Sequence, residues 1–195
     1  SAKTAERSRK PKHGIFLSPE TEVMTLDEIP DTQQKRLASN SNEFNQVLGG
    51  GVVAGSITLI GGEPGIGKST LLLQLASGFA ASTRVLYVSA EESSEQIKIR
   101  ARRLGLVAAS QSSSDVIHHE SPSQAAINNL LISTENNLEN LLEQVRDKQP
   151  GLIIIDSIQT IYLPEIDSIP GSPTQIRECA ANLMRFAKSS GIPIF

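Results

Sequence analysis

The amino-acid sequence predicts an α/β domain in which helices cover both faces of a twisted, mainly parallel sheet. Apolar strand-like segments alternate with segments of helical periodicity along most of the chain, which is the pattern of parallel sheets. Residues 152–155 are continuously apolar, as expected of a strand buried on both faces. With 195 residues, of which 38% are hydrophobic, the chain can form a substantial core without disulfide bonds.

The N-terminal segment differs from the rest of the chain. Residues 1–14 are polar, contain Pro11 and Gly14 and lack apolar periodicity, so we expect a disordered basic linker or tail before a folded domain at residues 15–195. Residues 1–13 carry five basic and one acidic side chain, whereas the remainder carries 13 basic and 20 acidic ones. The tail fits either a solvated linker or a nucleic-acid arm. The acidic domain predicts that any further contact with nucleic acid is local.

The first predicted elements surround a glycine-rich loop. Ser41 is a suitable N-cap for a short helix over residues 41–48, which the glycines at 49–51 end. Residues 56–60 form an apolar segment that predicts a buried strand. Residues 68–79 are apolar at almost every position after the first turn, which predicts a helix packed on more than one side.

A second strand and a second helix follow this unit. Residues 84–89 predict a strand that completes a βαβ unit with the elements before it. Residues 93–104 predict a helix capped by Ser93, with Gln96 in the reciprocal capping position and Gly105 as its stop.

The second half of the chain repeats the alternation less regularly. Residues 115–120 and 129–133 are weaker strand candidates on either side of a helix near 122–127. Apolar residues then recur at helical spacing over 137–148, and the Pro-Gly pair at 150–151 ends that helix.

The last part of the chain predicts a helix and the beginning of a strand. An amphipathic helix is expected over residues 174–189, and residues 191–195 form an apolar segment after it. Because proteins seldom end midway through a buried parallel strand, we expect the domain to be truncated at its C-terminus.

A phosphate-binding loop lies between the first predicted strand and its helix. Residues 62–69 match the pattern G-x-x-x-x-G-K-[ST] in the strand–loop–helix context that its mechanism requires. The glycines let backbone N–H groups converge on phosphate oxygens, Lys68 can reach the β- and γ-phosphates, and Ser69 can bind Mg²⁺. The residues expected to bind the nucleotide are Gly62, Glu63, Pro64, Gly65, Ile66, Gly67, Lys68, Ser69 and Thr70.

An acidic residue follows the continuously apolar strand. Asp156 comes directly after residues 152–155, where a carboxylate is costly unless it emerges at the carboxyl edge of the sheet, beside the nucleotide. We therefore expect Asp156 to hold Mg²⁺, or the water ligands of Mg²⁺, together with Ser69. An acid that only caps the next turn is the alternative.

Two glutamates follow the strand at residues 84–89, at the same predicted edge of the sheet. Either Glu91 or Glu92 could orient or deprotonate the water molecule for hydrolysis. Both could instead be first-turn acids that stabilise the helix beginning near Ser93. The pattern favours Glu91 for the catalytic role and leaves the choice between the two open.

Several other polar residues have a structural interpretation. His118 and His119 have no acid or cysteine at ligand spacing, and Cys179 has no indicated partner base, so we interpret all three as structural. A basic cluster on the helix at 93–104 fits a solvated face, a DNA contact or a contact with a neighbouring subunit. Its members are Lys98, Arg100, Arg102 and Arg103.

The composition predicts a soluble protein in a reducing compartment. No apolar stretch approaches the roughly 20 residues that span a bilayer, and the N-terminus lacks the apolar region of a secretory signal. The single cysteine cannot form an intrachain disulfide, and no C-x-x-C pair or histidine cluster offers a zinc site.

Five segments are specific enough to indicate a family. They are Leu-Gly-Gly-Gly-Val-Val at 48–53, Leu-Ile-Gly-Gly-Glu-Pro-Gly-Ile-Gly-Lys-Ser-Thr-Leu-Leu-Leu-Gln at 59–74, Leu-Tyr-Val-Ser-Ala-Glu-Glu-Ser at 86–93, Ile-Ile-Asp-Ser-Ile-Gln-Thr at 154–160, and Pro-Gly-Ser-Pro-Thr-Gln-Ile-Arg-Glu-Cys at 170–179. Through them the chain closely resembles the ATPase core of the bacterial RadA (Sms) family of recombination proteins. This family is related to RecA and to the ring-forming replicative helicases, and the resemblance spans roughly residues 40–195.

The resemblance implies a RecA-like P-loop fold, ATP and Mg²⁺ as cofactors, and ATP hydrolysis with Glu91 activating water. It also implies a homohexameric motor in the full-length protein. Such a motor would bind single-stranded DNA and promote branch migration of recombination intermediates alongside a RecA-type recombinase. A cytoplasmic, nucleoid-associated location follows, or an organellar one if the source is a plant.

The resemblance also suggests where DNA would bind. It places the loop at residues 163–175 near DNA, with Arg177 behind it as a candidate DNA contact. No basic residue lies between Lys148 and Arg177, and Glu165 is acidic. Phosphate contacts there would therefore come from backbone N–H groups or from Arg177.

Three parts of the family pattern are absent from the sequence. They are a four-cysteine zinc finger before the ATPase core, a Lys-Asn-Arg-Phe-Gly motif after it, and a C-terminal domain resembling that of Lon protease. We therefore expect no zinc in this chain. We also expect an intact nucleotide cradle, reduced DNA binding and ring formation, and weak or absent ATPase activity of this segment by itself.

Two other functions are compatible with the phosphate-binding loop. One is a nucleotide-controlled assembly or switch protein of the same fold, as in the circadian-clock relatives of RecA. The other is a small-molecule kinase, which is disfavoured because the stretch after Asp156 resembles a recombinase loop and no arginine cluster for a phosphoryl acceptor is evident.

Overall fold

Strands and helices alternate along the described part of the chain, which in the computed structural model comprises residues 24–28, 36–107 and 124–195. In chain order the elements are a 3-10 helix (Leu26–Glu28), β1 (Arg36–Leu37), α1 (Asn42–Val47), β2 (Val52–Val53), α2 (Lys68–Ala80), β3 (Val85–Val88), α3 (Ser94–Arg103), α4 (Gln124–Asn129), β4 (Leu130–Ser133), α5 (Leu138–Lys148), β5 (Leu152–Ile155), a second 3-10 helix (Ile158–Thr160) and α6 (Pro173–Ser190). The predicted tail at 1–14, the strand candidate at 115–120, His118 and His119 lie outside the described residues.

Three parallel strands form the centre of the sheet, in the order β4–β3–β5. Ile194 forms parallel bridges with both Ile153 and Ile57. The sheet therefore continues past β5, through the C-terminal segment, to the residues that precede the phosphate-binding loop. β1 and β2 form a separate antiparallel pair.

The predicted strand at residues 56–60 is only partly formed. The Thr58 N–H donates to the Ile194 carbonyl and the Ile194 N–H donates to the Ser56 carbonyl, each at 2.9 Å, but no regular strand is present there. Ile194 faces this segment, whereas Pro193 and Phe195 bond to Ile153 of β5, so a single residue of 193–195 pairs with residues 56–58. The prediction of a buried strand over residues 56–60 is therefore wrong, since only an isolated bridge at Ile57 joins this segment to the sheet.

Alternate residues of the central strands point to opposite faces of the sheet, and both faces are covered. Tyr87 and Ile154 pack with Phe79 of α2 in a first buried cluster, to which α3 and α4 also contribute. Ile155 packs with α5 and with Leu183 of α6 in a second buried cluster. This arrangement confirms the predicted parallel sheet with helices on both faces.

Side-chain caps determine where several helices begin. The Ser41 hydroxyl caps α1, and Ser93 and Gln96 form a reciprocal capping box at the start of α3, so both predicted caps are confirmed. Asn137 caps α5, and Ser172 caps α6, the longest helix in the described part of the chain. Among the described residues, no helix combines the length and apolar content that crossing a membrane would require.

The burial of α2 generates a first prediction. Leu73 is fully buried, whereas Leu71 on the same helix is 41% exposed. We expect Leu73→Ala to lower the free energy of unfolding by about 2–5 kcal/mol, because it leaves a cavity in the core. Urea unfolding followed by circular dichroism measures this change. Leu71→Ala is the matched control, and equal losses in the two variants would contradict the described packing of α2.

Candidate nucleotide-binding site

The glycine-rich loop before α2 has an open backbone. Residues 61–67 are exposed, and Gly65 and Gly67 have φ angles of 79° and 102°, a region that side chains other than glycine rarely adopt. A Cβ atom built on either of these two glycines would meet no other atom within 4 Å. The loop backbone is therefore accessible to a ligand, as the motif predicts.

The N-terminus of α2 points its backbone N–H groups at this loop. The Leu71 N–H donates to the Gly67 carbonyl at 2.9 Å, four residues earlier in the chain. The N–H groups that come before Leu71 in the first turn have no such acceptor within the helix. That turn contains no acidic residue. The unpaired N–H groups and the positive end of the helix dipole together favour an anionic ligand such as a phosphate group.

Lys68 lies across the mouth of the loop. Its Nζ atom donates to the carbonyl oxygens of Gly62 and Glu63, at 2.8 Å each. The ion pairs in the described part of the chain join other residues. Because carbonyl oxygens are neutral, the positive charge of Lys68 is not balanced by a carboxylate, and it remains available to an anion.

Asp156 lies at the carboxyl end of β5, on the same face of the sheet as α2. Its Oδ2 atom accepts a hydrogen bond of 2.7 Å from the hydroxyl of Tyr87. Tyr87 belongs to the buried cluster on the α2 face, so the Asp156 carboxylate faces the side on which the phosphate-binding loop lies. This is the orientation that a role in metal binding requires.

The strand order sets the separation of these two motifs. Ile57, ahead of the loop, and Ile153, in the strand that carries Asp156, are both bridged to Ile194. One strand position therefore separates the two segments, which corresponds to about 10 Å. Because the strands are parallel, both motifs lie at the carboxyl edge of the sheet.

The two glutamates after β3 have different surroundings. Glu91 is exposed, and its Oε1 atom accepts a hydrogen bond of 2.9 Å from the hydroxyl of Ser157, the residue after Asp156. Glu92 forms an ion pair with Arg100 of α3. The structure thus brings Glu91, rather than Glu92, into contact with the segment that carries Asp156.

Tyr87 is the buried group that links this site to the core. Burial is the main cause that raises the pKa of the phenol well above its usual range, and the neighbouring Asp156 carboxylate raises it further. The Arg100 guanidinium acts on this pKa in the opposite direction. The phenol therefore stays protonated at neutral pH and acts as a hydrogen-bond donor to Asp156.

Sequence reasoning missed the roles of Tyr87 and Ser157. The bond from Tyr87 to Asp156 depends on the register of β3 against β5, and the continuously apolar strands do not reveal that register. The bond between Ser157 and Glu91 likewise has no signal in the sequence, since it depends on how the ends of two strands are placed relative to each other.

Other candidate residues lie apart from this site. Arg177 is exposed on α6, behind a loop that the buried Gln175 ties to the helix. The Gln175 side chain lies within 3.2 Å of the carbonyl oxygens of Leu163, Ile166 and Ser168. The loop predicted to approach DNA is therefore joined to α6 by a buried amide side chain.

The remaining singled-out residues have structural surroundings. Cys179 is buried, and this burial, together with nearby carboxylates, raises the pKa of its thiol to about 11. Such a thiol is a poor nucleophile at neutral pH. In the basic cluster of α3, Lys98, Arg102 and Arg103 are exposed, whereas Arg100 pairs with Glu92.

The donor atoms at the site fit a magnesium ion. Within the described residues no three histidine, cysteine, aspartate or glutamate side chains cluster as a metal site. Mg²⁺ in a phosphate-binding site needs no such cluster, because it keeps water ligands and binds phosphate oxygens with one or two protein oxygens. The Ser69 hydroxyl and the Asp156 carboxylate are oxygens of that type.

Comparison with known proteins agrees with this geometry. A family model described as an AAA domain matches residues 22–195. The DNA repair protein RadA of Bacillus subtilis (strain 168) is 44% identical over 171 residues, 87% of this chain and 33% of the relative. RadA of a Synechocystis strain is 44% identical over 200 residues, 98% of this chain and 37% of the relative. The chain thus spans about a third of the length of these relatives.

Two solved structures share the fold at low sequence identity. The flagellar accessory protein FlaH of Methanocaldococcus jannaschii superposes with a TM-score of 0.57 at 19% identity, covering 83% of this chain and 69% of that one. A KaiC-like protein of Pyrococcus horikoshii OT3 superposes with a TM-score of 0.55 at 19% identity, covering 83% and 68%. These findings confirm the fold and the resemblance, and the chain belongs to the AAA domain family, as a RecA-like P-loop ATPase domain related to RadA.

Proposed function

We propose that this chain is the ATP-binding core of a DNA-repair and recombination ATPase of the RadA type. The observation that carries the proposal is the placement of Lys68 and Asp156 on the same face and the same edge of one parallel sheet. The similarity to relatives named DNA repair protein RadA supports the class of function. The domain is proposed to occupy residues 15–195, after a basic tail at residues 1–14.

The first step is the binding of the triphosphate by residues 62–70. Backbone N–H groups of the loop and of the first turn of α2 donate to phosphate oxygens. Lys68 exchanges two neutral carbonyl acceptors for phosphate oxygens, which are stronger acceptors because they are charged. Ser69 and Asp156 are the residues proposed to hold Mg²⁺. When it is bound, Mg²⁺ neutralises negative charge on the phosphate oxygens.

Glu91 is proposed to orient the attacking water. Its carboxylate is exposed and bound on one side by Ser157, which leaves its second oxygen free to accept a hydrogen bond from water. Glu92 is engaged by Arg100, so it is not the proposed base. The contacts of both glutamates thus support the choice that the sequence favoured.

The DNA-related activities are proposed for a full-length protein that contains this chain as its ATP-binding core. We propose single-stranded DNA and branched recombination intermediates as substrates, a RecA-type recombinase as a partner, and a homohexameric ring as the assembly. The loop held by Gln175 presents backbone groups and the exposed Arg177 on one side of α6. These groups are the proposed local DNA contact of an otherwise acidic domain. By itself, this segment is expected to hydrolyse ATP weakly or not at all.

The role of Lys68 is tested by nucleotide binding. We expect Lys68→Ala to weaken binding of a fluorescent ATP analogue by about tenfold or more, because a hydrogen bond to a charged group contributes roughly 1.5–3 kcal/mol. The fold should persist, because the Lys68 side chain bonds only to the loop carbonyls. Lys188→Ala, at the exposed end of α6, is the control. Unchanged binding by Lys68→Ala would refute the assignment of the loop.

The catalytic base is tested by single-turnover hydrolysis with the full-length protein in excess over ATP. Glu91→Gln should retain ATP binding and slow the hydrolytic step by about a hundredfold or more, since it removes a general base. Glu92→Gln should weaken its pairing with Arg100 and change the rate much less. If Glu92→Gln slowed the reaction as much as Glu91→Gln, the base would have to be reassigned.

The DNA proposal is tested with the full-length protein, by measuring how its binding to labelled single-stranded DNA in the presence of ATP depends on salt concentration. Each phosphate contact contributes about 0.7 to the slope of log K against log salt concentration, so Arg177→Ala should reduce that slope by about this amount. Arg185→Ala, exposed on the same helix, is the control. If binding depended on neither ATP nor salt, the motor function would fail and the nucleotide-controlled assembly protein would be favoured.

A further inference from the structure

The Asp156 carboxylate is held from the core side by a residue to which the phosphate-binding motifs assign no role. The Tyr87 hydroxyl donates to Asp156 Oδ2 at 2.7 Å, between residues 69 positions apart in the sequence. The two side chains come from adjacent strands, β3 and β5, which are paired in parallel register. The bond therefore joins two rigid elements of the sheet.

The Tyr87 side chain can hold a single orientation. The residue is 1% exposed and packs in the buried cluster on the α2 face, so its ring has little freedom to move. Its hydroxyl lies at the carboxyl edge of the sheet, where it donates to Asp156 Oδ2, a carboxylate oxygen that can only accept. The direction of the hydrogen bond is thus fixed, from Tyr87 to Asp156.

The ion pair between Arg100 and Glu92 lies beside the Tyr87 phenol. The Arg100 guanidinium is close enough to Tyr87 to act on its hydroxyl, and it is itself anchored by Glu92. Arg100 belongs to α3, which packs over the same face of the sheet through Ile97. Two polar side chains, Tyr87 of β3 and Arg100 of α3, therefore lie on the core side of Asp156.

The chemical consequence concerns the orientation of the carboxylate. An ionised carboxylate has two oxygens that accept hydrogen bonds or bind cations. Tyr87 occupies Oδ2, which leaves Oδ1 for a metal ion or its water ligands. Residues that hold a metal-binding group from behind limit its rotation, and their removal typically reduces metal affinity or activity by 10- to 100-fold.

We propose that Tyr87 is a positioning residue that orients Asp156 for Mg²⁺, supported by Arg100 of α3 and by Glu92, which pairs with Arg100. The proposal rests on the proposed function, because it requires that Asp156 acts on the metal of a bound nucleotide. It extends that function because a core residue, Tyr87, then helps to set the Mg²⁺ concentration that nucleotide binding requires. Tyr87 acts through Asp156 and does not contact the nucleotide.

The test is a Mg²⁺ titration of the binding of a fluorescent ATP analogue to the chain. Tyr87→Phe keeps the buried ring and removes only the hydroxyl. We expect the Mg²⁺ concentration at half-maximal binding to rise about tenfold, while binding of the same analogue in EDTA stays unchanged. The control is Tyr162→Phe, which alters the other tyrosine of the chain, and it should leave the titration unchanged.

The outcomes separate this proposal from the proposed function. If the unmodified chain showed no nucleotide binding that depends on Mg²⁺, the proposed function would fail. If the unmodified chain showed that dependence and Tyr87→Phe had the same titration curve, the positioning role would be overturned. Should Tyr87→Phe not fold, Arg100→Gln provides the second variant, with a shift in the same direction expected and an unchanged curve counting against the role.

Discussion

Burial of two parallel strands on both faces is the constraint on which the rest of the structure depends. All residues of β3 and β5 are buried, and each fully buried aliphatic side chain contributes about 1.5–3 kcal/mol. This requires helices above and below the sheet, and helices in those positions connect strands that run in the same direction. The chain must therefore bring the carboxyl ends of its strands to one edge.

The polar residues of the site, which would be costly to bury in the apolar core, lie at that edge of the sheet. Asp156, Glu91 and the phosphate-binding loop all follow strands or strand-like segments directly, so none of them has to be positioned by a long loop. Glu92 is paired with Arg100, whereas Asp156 and Lys68 have neutral hydrogen-bond partners, a phenol and two carbonyls respectively. The positive charge of Lys68 lies at the open loop, where an anion would complete the site.

Much of the fold could be predicted because its signals are local. The apolar run at 152–155, the caps at Ser41 and Ser93 and the glycine loop each depend on neighbouring residues only, and the structure has all of them. The strand at 56–60 is not completed because pairing depends on the partner, and of residues 193–195 only Ile194 bonds to this segment. The bonds from Tyr87 to Asp156 and from Ser157 to Glu91 join residues more than 60 positions apart, so they follow from topology and not from any short pattern.

The burial of the single thiol has a practical consequence for spectroscopy. Cys179 is enclosed between α6 and the segment after β5, with its sulfur 3.6 Å from the Ile161 carbonyl oxygen, and it is the one cysteine of the chain. Maleimide dyes and nitroxide spin labels react with accessible thiolates, so the native protein offers them almost no target at neutral pH. A cysteine introduced on the surface can then be labelled selectively without replacing Cys179, and the packing of α6 is left as it is.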